Sequence, residues 1–202
     1  MFFSIDGLDG VGKSTQLQLF EEWLRALGHE VITCQDPGST PLGTAIRQIL
    51  LGREIALGRP SEMLLFMAAR AQMVDEVIAP ALAAGKVVIS DRYLLANVVY
   101  QGHAGGLDVA EIWRIGRMAT HGVLPEMTFV LDMAPERAAA RIGRPLDRME
   151  SRGAEFRTRL RAGYLAEASQ DPQRIRVIDA SRSIDEVQAE LRSAAAPLVS
   201  IR

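Results

Sequence analysis

Gly7-Leu8-Asp9-Gly10-Val11-Gly12-Lys13-Ser14 stands between a short apolar run, residues 2–6, and a segment of helical periodicity, residues 14–27. Glycines at that density exclude a regular helix or strand, so the chain must pass from strand through loop to helix here. The spacing Gly7-x-x-x-x-Gly12-Lys13-Ser14 fits the phosphate-cradling loop, in the context that loop requires. Glycines let successive backbone N–H groups converge on phosphate oxygens, and the following helix N-terminus adds favourable partial charge. Lys13 is placed to reach β and γ phosphates, and the Ser14 hydroxyl to ligate Mg²⁺. The candidate nucleotide cradle is Gly7, Leu8, Asp9, Gly10, Val11, Gly12, Lys13, Ser14 and Thr15. Asp9 is the odd member, an acid where phosphate would repel it.

Five apolar runs, at 2–6, 31–34, 87–90, 127–132 and 175–179, read as buried parallel strands. Between them the spacing predicts helices over 14–27, from Ser61 towards Pro80, and over 108–120, 135–142, 154–168 and 183–195. Gly28 follows the first helix as its C-terminal stop. This alternation predicts an α/β fold with a parallel sheet and right-handed crossovers, in one domain spanning 1–202.

A formal net charge of −2 gives no global basic field, so no nucleic-acid partner is expected and any anion must be gripped locally. The one cysteine, Cys34, lies in an apolar run and is expected to be a buried, inert thiol in a reducing compartment. With no secretory leader pattern and no apolar run near the roughly 20 residues of a membrane span, a cytoplasmic protein without a membrane partner is expected.

Asp91 and Arg92 follow the third apolar run, where ligands bind in open α/β sheets. The acid can orient Mg²⁺ or its water, the arginine can bridge phosphates, and a surface ion pair is the plain alternative. Arg141, Arg144 and Arg148 cluster in a segment broken by Gly143 and Pro145. They form either a solvated charge run or a lid, at about 141–150, closing over a transferring phosphoryl group. The guanine-reading tetrapeptide Asn-Lys-x-Asp does not occur, which disfavours a GTPase switch.

The stretches GLDGVGKST, DPGSTPLGTAIR, LLFMAAR, SDRYLLANVVYQG, LDMAPERAAARIGRPLDR, RAGYLAEA and VIDAS, in that order from Phe3 to about Leu191, resemble the thymidylate kinase family. The resemblance implies the P-loop nucleoside-monophosphate kinase fold, a five-stranded parallel sheet flanked by helices on both faces with a short lid. It implies transfer of the γ-phosphate of ATP to dTMP with Mg²⁺, giving dTDP and ADP in dTTP biosynthesis, by a homodimer. It implies Phe66 stacking on thymine, Arg70 donating to a base carbonyl, and Asn97 and Gln101 facing the base edge. Arg47 and Arg92 would hold the acceptor phosphate, Tyr100 would pack on the deoxyribose, and Asp9 would accept from the sugar 3′-hydroxyl. Ser14 and Asp91 would serve the metal. With no arginine inside the loop, the chain resembles the bacterial type, in which Lys13, Arg92 and the lid arginines Arg141, Arg144 and Arg148 carry the catalytic charge.

The chain departs from the family pattern around the acceptor site. Gln35-Asp36-Pro37-Gly38-Ser39-Thr40 stands for Arg-Glu-Pro-Gly-Gly-Thr, Ala96 and Asn97 stand where serines are frequent, and Gly105 where a basic residue is. Two other readings compete: a kinase for another pyrimidine monophosphate, and a catalytically weak regulatory nucleotide binder on the same fold.

Overall fold

The structure is a computed structural model that describes residues 1–199 apart from 53, 144 and 146. All five apolar runs are strands: β1 (Phe2–Gly7), β2 (Val31–Gln35), β3 (Val87–Asp91), β4 (Met127–Asp132) and β5 (Ile175–Asp179). They form one all-parallel sheet in the order β2-β3-β1-β4-β5. Strand β1 is central and buried along its whole length, as a strand covered by helices on both faces must be.

Alternate residues of β1 feed two apolar layers. Phe3 and Ile5 join Phe129 and the inner face of α1 (Lys13–Ala26), where the Phe3 and Phe20 rings meet edge to face at 5.4 Å. Phe2 turns the other way, onto Tyr93 at 4.9 Å and the methionines of α3 (Arg59–Met73). Helix α1 closes as its Gly28 forecast: Gly28 has φ 89°, its N–H donates to Arg25 O, and that of His29 to Leu24 O.

Two helical segments were not foreseen in the sequence: α2 (Pro41–Leu51), and α5 (Leu94–Asn97) with the wider π-helical turn Val98–His103 that continues it. Two predicted boundaries also move. α3 starts at Arg59 rather than Ser61, with Pro60 in its first turn, where a missing N–H is harmless. It does not stop towards Pro80 but continues through a π-helical turn, Val74–Ile78, into α4 (Ala79–Ala83). Pro80 lacks the N–H that Glu76 O would accept, and the wider turn accommodates it. The remaining helices are α6 (Val109–Ala119), α7 (Pro135–Ala140), α8 (Ala154–Gln170) and α9 (Ile184–Ala195). Among the described residues no helix is long and apolar enough to cross a membrane.

The crossovers from β1 and β3, neighbouring strands, lead to opposite sides of the sheet, towards β2 and β4. A crevice opens where such connections diverge, at the carboxyl ends of the strands.

Candidate active site

That crevice is a cavity of about 560 Å³. The loop after β1 forms one wall, and its shape depends on Gly10 at φ 86° and Gly12 at φ 98°. A Cβ on Gly10 would lie 2.0 Å from Ala138 O of α7, so the loop passes too close to that helix for any side chain. Gly12 caps α1 without a side-chain acceptor, and the first turn of α1 holds no acid. The free N–H groups there and the helix dipole both favour an anion. Lys13, 8 % exposed, donates from Nζ to Leu8 O at 2.7 Å and Gly7 O at 3.3 Å. Burial pushes its pKa down, with the neighbouring Arg92 charge acting the same way.

Asp9 is flanked by two cations. Its Oδ1 accepts from Arg92 Nη2 at 2.5 Å and Lys13 Nζ at 3.4 Å, and its Oδ2 from the Tyr100 hydroxyl at 3.3 Å. Burial alone would raise its pKa, but the charges of Arg92 and Lys13 overcome it and hold the carboxyl well below the usual carboxylate range. The acid within the glycine-rich loop is thus the counter-ion of Arg92 and Lys13.

Arg92 has φ 68°, a left-handed conformation rare outside glycine and characteristic of residues held for function. Its guanidinium donates to Gly7 O at 2.9 Å and to the Tyr164 hydroxyl at 3.3 Å, and stacks over the Tyr100 ring at 5.1 Å. Behind it the Tyr164 hydroxyl donates to Asp6 Oδ1 at 3.4 Å. Burial pushes Asp6 up to about 7, opposed by Arg92 and Lys13. Asp91 lines the cavity, and its Oδ1 is buried with no hydrogen-bond partner among the described residues.

The opposite wall comes from α2, α3 and α5. Arg47 donates to Pro37 O at 3.0 Å. Phe66 and Arg70, four apart on α3, both line the cavity, as their spacing predicts. Arg70 is 1 % exposed and held from two sides: Nε donates to Asp36 Oδ2 at 2.5 Å, and Nη1 to Asn97 Oδ1 at 3.0 Å. Asn97 Nδ2 donates to Gln101 Oε1 at 2.6 Å, and Gln101 Nε2 to Glu62 Oε1 at 2.9 Å. Burial raises the Asp36 pKa against the lowering pull of Arg70.

Fifteen of the sequence-derived candidates therefore converge on one cavity: Asp9, Gly10, Gly12, Lys13, Ser14, Thr15, Arg47, Phe66, Arg70, Asp91, Arg92, Asn97, Tyr100, Gln101 and Arg141. Gly7, Leu8 and Val11 stand behind the loop, the last two buried in the core. Arg148 is placed elsewhere: Nε donates to Leu50 O at 2.7 Å, and Nη2 pairs with Glu62 at 2.7 Å. Arg144 lies outside the described residues. Sequence reasoning missed Asp36, Glu62, Tyr164 and Asp6 as partners of the site; the shortened acid at Asp36 was visible only as a departure from a pattern.

The family profile described as thymidylate kinase matches residues 5–191. The thymidylate kinase of Rhodopirellula baltica is 46 % identical over 184 residues, covering 91 % of this chain and 75 % of that protein. That of Leifsonia xyli subsp. xyli is 45 % identical over 195 residues, covering 95 % and 92 %. Among solved structures, the thymidylate kinase of Ehrlichia chaffeensis superimposes with a TM-score of 0.80 at 29 % identity, covering 97 % of this chain and 98 % of that one.

Proposed function

The chain belongs to the thymidylate kinase family and phosphorylates dTMP to dTDP with ATP as donor, and from that premise we propose how its residues divide the work. The loop from Gly7 to Thr15 cradles the phosphates of ATP on the uncapped N-terminus of α1. Arg47 and Arg92 hold the phosphate of dTMP in line with the γ-phosphate. That acceptor arrives already anionic, so positioning and charge neutralisation, rather than a general base, carry the reaction. Lys13 and Arg141 neutralise the charge that spreads over the transferred group; Arg144 is proposed to share this task, and the segment at about 141–150 to act as the lid of a single domain. Phe66 stacks on thymine, Arg70 donates to a base carbonyl, and Asn97 and Gln101 face the base edge. Tyr100 packs on the deoxyribose, and Asp9, with Oδ2 turned to Tyr100, accepts from the 3′-hydroxyl beside it.

The cavity fits Mg²⁺. Asp91 Oδ1 is a buried acceptor with no partner among the described residues, in the cavity that Ser14 also lines, and Mg²⁺ is commonly held by one or two protein oxygens plus substrate phosphates. When bound, the ion would supply charge neutralisation at the phosphates of ATP, and Ser14 and Asp91 would be the residues that hold it.

A homodimer is proposed on the exposed apolar side chains of two helices packed side by side, Leu64 of α3 and Met118 of α6, the latter 71 % exposed.

The observation that carries the site reading is the convergence of Lys13, Arg47, Arg70, Arg92 and Arg141 on one cavity beside a phosphate loop. A coupled assay with ATP, Mg²⁺ and each nucleoside monophosphate in turn tests it. Turnover should be highest for dTMP; clear preference for another monophosphate would refute the assignment of the base-reading residues.

A further inference from the structure

Glu62 is the most deeply buried acid on the wall of α3, 2 % exposed, and no part of the chemistry above uses it. Its two oxygens serve different partners. Oε1 accepts from Gln101 Nε2 at 2.9 Å, the last step of the relay that runs from Arg70 through Asn97. Oε2 pairs with Arg148, near the end of the lid segment, at 2.7 Å and forms a short contact with Arg152, just beyond it. Arg148 is fixed further by Leu50 O, and Arg152 stacks over the Phe156 ring at 5.0 Å.

The relay has one permitted direction. Arg70 can only donate, and Glu62, paired with two guanidiniums at Oε2, accepts at Oε1, so each amide between them must point its carbonyl towards Arg70's side and its NH₂ towards Glu62. Turning Gln101 over would set its carbonyl against the Glu62 carboxylate and its NH₂ against that of Asn97. Two guanidiniums converge on Glu62 Oε2, so the buried carboxylate has its counter-charges beside it.

We infer that Glu62 is a positioning residue that ties the base-reading amides Asn97 and Gln101 to the root of the lid through Arg148 and Arg152. Pyrimidine recognition and lid placement then share one carboxylate, and neither can be disturbed alone. A lid-root arginine that touches no base acts on base selection. This rests on the reading that Asn97 and Gln101 face the base.

The test compares Arg152→Met, Glu62→Gln and the double variant with the unaltered protein, measuring kcat and KM for dTMP and for dCMP, whose base edge carries the opposite donor–acceptor pattern. Arg152→Met should lower the dTMP-to-dCMP preference in kcat/KM by about threefold to tenfold, chiefly through KM for dTMP, the scale of coupling between groups in one network. Glu62→Gln should lower it at least as much, and adding Arg152→Met to it should change nothing further. If Arg152→Met alters kcat alone and leaves the preference intact, the coupling is refuted, as it is if Glu62→Gln keeps the full preference. Should Glu62→Gln fail to fold by circular dichroism, Arg152→Met decides by itself. Asn97→Ala separates the two levels: an unchanged KM for dTMP would overturn the base-reading assignment, whereas a raised KM beside an indifferent Arg152→Met would overturn only the coupling.

Discussion

At the scale of single residues, charge and burial make three outcomes definite. Lys13 contributes charge rather than apolar packing, so Lys13→Met should lower kcat by at least about a hundredfold, the scale for losing one preorganised donor at a developing charge. Far-ultraviolet circular dichroism should stay unchanged, and stopped-time assays read the loss. Burial pushes the Cys34 thiol up to about 12, with nearby carboxylates adding to the effect, so it carries no thiolate at neutral pH. Ellman's reagent should find no reactive thiol in the native protein and one after denaturation. Asp6 is the third. Its folded pKa of about 7 lies above the unfolded 3.8, so its stabilising protonation is fully present below about 4 and lost as pH rises towards 7. Asp6→Asn should keep its melting temperature between about pH 5.5 and pH 7.5, where the native chain loses part of its own; parallel thermal melts measure the difference. The residues that line the cavity were legible on the loop side because a motif fixes residue types at fixed spacing, and on the opposite wall through the family resemblance. Their partners were not. Nothing local marks Tyr164 as the neighbour of Arg92, 72 positions away, or Glu62 as the end of a relay.

At the scale of elements, strands were legible to within a residue: β1, β3 and β4 lie inside the sheet and read as apolar runs, and the partly exposed edge strands β2 and β5 still carry Val31, Ile32 and Cys34, and Ile175, Val177 and Ile178. The two missed helices fail for opposite reasons. Pro41 and Gly43 in α2 read as turn chemistry, although Pro41 occupies the first turn, where proline fits, and Thr40 caps the helix through Gly43 N at 2.9 Å. The stretch 94–103 is buried on nearly every side, so no polar face exists to reveal a helical period. α9 is the contrasting case: Ser183 and Glu186 form a capping box, visible in the sequence as Ser-x-x-Glu. Ser183→Ala should cost about 1 kcal/mol in urea unfolding with m unchanged, because it removes one capping acceptor and exposes no new surface. Gly10→Ala belongs to this scale too. It forces a Cβ to 2.0 Å from the Ala138 carbonyl at φ 86°, so loop and α7 must part. ATP-analogue affinity by calorimetry should fall by at least about tenfold, reflecting the 1–3 kcal/mol cost of a strained backbone position.

At the scale of the whole molecule, the cleft is a meeting of segments far apart in sequence: the loop after β1, the turn after β2, one face of α3, the end of β3, and the chain from Arg141 to Met149. That juxtaposition follows from strand order, and strand order follows from crossovers no local pattern encodes, so the sequence could name the participants but not their contacts. The same topology makes substrate a fastener. dTMP, if held as proposed by Arg47, Arg70 and Arg92, binds only the folded chain, because the unfolded one never assembles those groups. Mass action then stabilises the fold by about 2.7 kcal/mol at a ligand concentration of a hundred times Kd. For a chain of this length that corresponds to a rise in melting temperature of roughly 5–11 °C. dTMP should produce such a shift in differential scanning calorimetry, and Arg70→Met should abolish most of it. That variant removes both the proposed donor to the base and the counter-charge of buried Asp36, so its own melting point should fall as well. A dTMP shift that survives Arg70→Met unchanged would place the acceptor outside this cleft.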